Sequence, residues 1–159
     1  MATFSIESNG RLEKTAVYLN GETLGGIKEI FLNLDEDGTF DAIIQYQGND
    51  NNIYNKSIFN DYLENIKTVD APYTEEESDE LNLLTIESNG NIENTIVLFN
   101  EQELDGLVNL FIHIKSSQAK AGGLKSLFSG KKDVPEHVEF RAEFTFRNED
   151  GTIETEGVF

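Results

Sequence analysis

Two acidic turns come nearest, among the residues of this chain, to a metal site. Asp35-Glu36-Asp37-Gly38 and Asn148-Glu149-Asp150-Gly151 crowd oxygen ligands around a glycine, as calcium loops do. Neither runs on to the bidentate glutamate that an EF-hand loop needs. They also fall at unmatched places in the repeat described below, so hairpin turns explain both and no metal is expected. Cysteine is absent, which excludes thiolate metal sites, disulfides and cysteine nucleophiles together. The two histidines, His113 and His137, belong to no catalytic pattern, and the chain has no G-x-S-x-G elbow, P-loop or dinucleotide fingerprint. A protein that is not an enzyme, with no catalytic residues and no cofactor, is the expectation.

A different chemistry is concentrated between residues 116 and 135. Five of the twelve basic residues lie from Lys115 to Lys132, around an apolar cluster of Leu124, Leu127 and Phe128. Basic groups beside an exposed apolar knob suit an acidic protein groove, a phosphate-bearing ligand or an anionic membrane surface. The bland alternative is a long hairpin kept soluble by its lysines. Lys120, Leu124, Lys125, Leu127, Phe128, Lys131 and Lys132 are therefore the candidate partner-binding residues.

The rest of the chain has the opposite charge. Thirty acidic residues against twelve basic ones give a formal charge of −18, which repels nucleic acid, so direct nucleic-acid binding is not expected. Such acidity fits a surface selected for solubility, or an imitation of DNA phosphates that inhibits a nucleic-acid-binding protein. No apolar run is long enough to cross a bilayer. The start, Met-Ala-Thr-Phe-Ser-Ile-Glu-Ser-Asn-Gly, lacks the basic and apolar regions of a signal peptide, and a cytoplasmic location is expected.

What positions these groups is an internal repeat. Ile6-Glu7-Ser8-Asn9-Gly10 returns as Ile86-Glu87-Ser88-Asn89-Gly90, and Glu13, Thr15, Val17, Asn20, Leu24, Gly26 and Phe31 recur at the same offset of eighty. From about residue 39 the offset is one hundred, pairing Phe40, Ala42, Asp50, Ile53 and Phe59 with Phe140, Ala142, Asp150, Ile153 and Phe159. Residues 1–59 and 81–159 are thus two β repeats, the second carrying the insertion.

Within each repeat apolar residues alternate with period two, as half-buried strands require. Phe4 and Ile6 share one face of a first strand, and Ala16 to Leu19 form a second. Ile30, Leu32 and Leu34 mark a third strand, and Phe40, Ala42, Ile44 and Tyr46 a fourth. A fifth runs around Ile53 to Phe59. The Asn-Gly pairs at 9–10 and 89–90 read as hairpin turns. Between the repeats, Asn60 to Lys67 carries the only helical pattern, with Tyr62, Leu63 and Ile66 on one face. Residues 70–80 read as an acidic linker. The expected fold is all-β: a tandem duplication of a five-stranded antiparallel unit, as a sandwich or paired half-barrels, with one short connecting helix.

Val17-Tyr18-Leu19-Asn20-Gly21-Glu22-Thr23-Leu24-Gly25-Gly26-Ile27, partly echoed from Val97 to Leu107, resembles a strand, turn and strand segment common in small all-β accessory proteins of bacteriophages and prophages. Glu101 departs from it where the turn glycine belongs. The resemblance implies a small, non-enzymatic accessory or inhibitor protein acting on a host protein. A non-catalytic protein-binding module is accordingly the expected function. The acidic DNA mimic is the alternative, and a small-ligand site or enzyme in the cleft between repeats comes third.

Overall fold

The computed structural model describes residues 2–11, 14–71, 73–117 and 137–159. In chain order the strands are β1 Ala2–Ser8, β2 Ala16–Leu19, β3 Glu22–Gly25, β4 Ile27–Asp35, β5 Phe40–Gln47, β6 Ile53–Ser57 and β7 Lys67–Thr68, then β8 Asn82–Ser88, β9 Ile96–Phe99, β10 Gln102–Glu103, β11 Leu107–Ser117, β12 His137–Arg147 and β13 Ile153–Gly157. A single turn of helix, α1, spans Glu75–Ser78. Two antiparallel sheets result, ordered β10-β9-β8-β1-β2-β3-β7 and β13-β12-β11-β4-β5-β6. They enclose one apolar core to which both contribute, Phe4, Ile6, Leu84 and Ile86 from the first and Leu32, Ile44, Leu110 and Ile112 from the second. The fold is an all-β sandwich.

The repeat reappears in the strand pairing. β1 pairs with β8 so that Ser5 faces Thr85, and β4 pairs with β11 so that Leu32 faces Ile112. In each pair the two residues are eighty positions apart. Equivalent residues facing each other in an antiparallel pair define a local two-fold axis normal to the sheet, and here one runs through both sheets. On it the Ser5 and Thr85 hydroxyls meet at 3.0 Å. The Phe31 and Phe111 rings flank it on the outer face of the other sheet, 5.7 Å apart. The halves therefore join strand against strand, and the junction is hydrogen-bonded and packed.

Period-two alternation forms these strands because each buries one side only: Ile30, Leu32 and Leu34 are buried while Phe31 and Asn33 between them face outward. The repeated Ser-Asn-Gly builds a longer connection than the tight hairpin expected, since Glu7 pairs with Ala16. Ser8 and Ser88 are fully buried, each accepting from the amide of Gly10 or Gly90 and bonding the hydroxyl of Thr15 or Thr95. The true two-residue turns are Asn20-Gly21 and Asn100-Glu101, with all four residues at positive φ.

Two expectations change. Among the described residues each half has six strands, not five, because the short β3 and β10 hydrogen-bond to β2 and β9 without an alternating run of their own. Residues 60–67 are not helical. Asn65 sits in the left-handed region at φ 55, the Tyr46 hydroxyl donates to the Glu64 carbonyl at 2.7 Å, and the Asn49 amide donates to the Asn65 carbonyl at 2.8 Å. The Glu64 amide donates two residues back, to the Tyr62 carbonyl at 3.1 Å, where a helix would send it four residues back to Asn60. The helix forms instead in the acidic stretch, where Thr74 caps it reciprocally with Glu77 and three glutamates favour its positive N-terminal end.

Candidate functional site

The segment that follows β6 fastens itself to the first half. Leu63 is buried and Ile66 half-buried against the core. β7 then pairs with β3, setting Thr68 opposite Leu24 and Lys67 opposite Gly25, and the Val69 amide donates to the Thr23 carbonyl at 2.9 Å. A Cβ at Gly25 would lie 2.5 Å from Val69 Cγ1, so this approach requires the glycine. Farther on, Tyr73 and Ser78 each donate to Glu7 at 2.7 Å, and Tyr18 does so at 3.1 Å. Burial, with the Glu7 hydrogen bond behind it, pushes the Tyr73 hydroxyl far up from its ordinary range. An ion pair between Lys14 and Glu77 holds the carboxyl of Glu77 below its usual value.

Rotation about the two-fold axis carries this strap onto the second half, where no described residue takes its place. β10 is the outermost strand of its sheet. Ala16, beneath the strap, is 3% exposed, whereas its equivalent Ile96 is 37% exposed despite being larger and more apolar. Leu24 and Tyr46 are buried, whereas Leu104 and Phe146 are only half-buried. Two cavities occupy the equivalent places. The first, about 240 Å³, is lined by Ala16, Leu24, Gly25 and Ile27 and edged by Val69 of the strap. The second, about 400 Å³, is an open groove lined by Leu34, Ile92, Ile96, Leu104, Leu107 and Val108. Lys28 of the first cavity becomes Val108 in the second, and Thr23 becomes Glu103.

The rim of the open groove is acidic. Asp35, Glu36, Glu93 and Glu103 line it, and Asp105 is exposed beside it where the first half has Gly25. Glu36 is held by a bidentate ion pair from Arg147 at 2.7 and 2.9 Å. No such ion pair engages Glu93, Glu103 or Asp105 among the described residues. An apolar floor with a negative rim and an unpaired strand edge can accept an extended chain; it gathers no nucleophile and base.

Lys120, Leu124, Lys125, Leu127, Phe128, Lys131 and Lys132 lie outside the described residues. The end of the β11 and β12 hairpin runs into their insertion, where Ser116 and Ser117 pair with Val138 and His137. That end lies beside the strapped half, where Ile114 lines the smaller cavity. Leu107 and Val108, at the other end of β11, line the open groove about 30 Å away at the usual strand rise. The acidic turns are organised by their own hydrogen bonds. Hydrogen bonds from the side chain and then the amide of Thr39 to Asp37, and of Thr152 to Asp150, keep both carboxyls below their ordinary range, the amides lying at 2.8 and 3.0 Å. His113 faces the outer surface, its Nε2 2.6 Å from Glu29 Oε2, and His137 opens β12.

Residue types alone would not have revealed the groove, because Ile96, Leu104 and Val108 look like ordinary strand residues. A signal was nevertheless present in the repeat, where Ala16, Lys28 and Gly25 change to Ile96, Val108 and Asp105. No family model, curated protein or solved structure matches the chain. Among the described residues no helix is long and apolar enough to cross a membrane.

Proposed function

We propose that this chain is a non-catalytic protein-binding module whose contact with its partner is the open groove of the second half. The observation that supports this is the unequal covering of two equivalent places: the chain straps one and leaves the more apolar one bare. An exposed apolar groove next to an open strand edge invites association. A chain that covers one such site, and whose described residues leave the other enlarged and uncovered, fits one that reserves it for a partner. This is also the role that the resemblance to phage accessory proteins implies, with a host protein as the target.

Capture of the partner from the native host with the parent and with Ile96→Asp tests the reading. Loss of the partner, with no more than the few degrees' fall in melting temperature that about 1 kcal/mol brings, is the expected result. The insertion is proposed as a second contact, tested by replacing residues 118 to 133 with a short glycine-containing turn. If both variants retain the partner, the acidic surface is the contact and the DNA-mimic reading takes over.

A further inference from the structure

We propose that the partner enters the open groove as an added β-strand, in an extended segment with a basic residue opposite Asp105 and a small one opposite Glu103. This rests on the protein-binding reading and specifies its ligand. The template is within the molecule. In the first half Ile66-Lys67-Thr68-Val69 completes the sheet beside β3: Lys67 faces Gly25, Thr68 faces Leu24 on the inner side, and the Val69 amide reaches the Thr23 carbonyl. The two-fold axis maps these acceptor positions onto Asp105, Leu104 and Glu103. Antiparallel alternation turns the N–H and C=O of Glu103 away from β9, as those of Thr23 turn away from β2. Strand addition at such an edge draws affinity from main-chain hydrogen bonds and specificity from alternate side chains.

The substitutions between halves state which segment fits. Asp105 replaces Gly25, so the residue in the place of Lys67 faces a carboxylate, and opposite charges across a strand pair attract. Glu93 and Glu103 extend the same negative rim. The Cβ of Asp105 stands where Gly25 makes room for Val69, so a β-branched residue cannot occupy that place and alanine or serine can. By the same contact the chain's own strap is kept out of the second groove, which discourages exchange of straps between copies.

The test uses labelled synthetic peptides at low salt, Lys-Ile-Lys-Thr-Ala-Lys against versions with glutamate for lysine and with valine for alanine. The basic alanine peptide should bind, protect the Asp105 amide from exchange, and bind about tenfold more tightly than either alternative. Asp105→Lys should reverse the charge preference. Asp105→Gly should admit the valine peptide, and Asp105→Pro, which unlike Asp105→Gly removes the amide that pairs in the ladder, should abolish binding. Equal binding of acidic and basic peptides, indifference to Asp105→Pro, or a dimer of the chain formed through β10 would overturn the inference. If no peptide binds while Ile96→Asp still releases the host partner, strand addition is wrong and the protein-binding reading survives. If the host partner ignores Ile96→Asp, both fall.

Discussion

Ala16 and Ile96 hold the same place in two halves of one sandwich, and they differ in what lies over them. Over Ala16 runs a strap that adds Leu63 and Ile66 to the core and a strand to the sheet. Over Ile96 no described residue lies. The two-fold axis makes the comparison a controlled one, since strand order, register and turn networks are shared and the covering is not. It teaches that the same place in a repeat can be covered in one half and left without a described covering in the other.

The largest effect should come from the strap. Leu63→Ala removes a buried side chain and should cost about 2–5 kcal/mol, read from denaturant unfolding. Ile96→Ala removes a partly exposed side chain and should cost about 1 kcal/mol. If the two costs are equal, the first half is no better covered than the second and the comparison fails.

What the halves share should cost the same in both. Ser8→Ala and Ser88→Ala each remove a buried hydroxyl that a half-buried threonine and a glycine amide both bond. Each should lose about 1–3 kcal/mol. Unequal losses would mean that the turns differ in more than their outer residues.

Most of this symmetry could be read from the chain. Alternation at Ile30, Leu32 and Leu34 and again at Leu110, Ile112 and Ile114 identified the core face, because a strand buried on one side must alternate. The joining of the halves through β1 with β8 and β4 with β11 was not legible, since period two says which side is buried but not which edge finds a partner. The helix was placed wrongly because an apolar pattern at Leu63 and Ile66 serves equally well in an irregular strap pinned by Tyr46 and Asn65. The groove escaped notice for a related reason: exposure belongs to the covering segment, not to the residue covered.

Tyr46 and Phe146 carry the comparison to a single atom. The Tyr46 hydroxyl donates to the Glu64 carbonyl of the strap, and Phe146 has no hydroxyl to donate. Tyr46→Phe should cost about 1 kcal/mol at neutral pH and loosen the strap. Burial, followed by the negative charge of its neighbours, pushes this hydroxyl up to about 12. The folded form therefore favours protonated Tyr46, a stabilisation fully present below about pH 10 and lost as pH rises through about 12. The variant should show a shallower alkaline loss of stability in that window. Some slope will persist, because Tyr18 and Tyr73 are raised as well.

The smallest difference between the halves is the turn residue at the tip of the hairpin beside the edge strand. Gly21 and Glu101 both adopt left-handed conformations, at φ 86 and φ 70, but only glycine does so without strain. Holding an ordinary residue there costs about 1–2 kcal/mol, and the greater freedom of glycine in the unfolded chain returns about 0.5–1 kcal/mol of that. Glu101→Gly should thus stabilise the protein by about 0.5–1 kcal/mol, while Glu101→Gln, which removes the charge and leaves the backbone, should change little. Gly21→Glu should lose about what Glu101→Gly gains. If Glu101→Gln stabilises as much as Glu101→Gly, the gain comes from relieving negative charge at an acidic edge, and the turn itself is unstrained. That outcome would leave Glu101 as a further carboxylate on the edge offered to a basic strand, with no structural reason to be anything else.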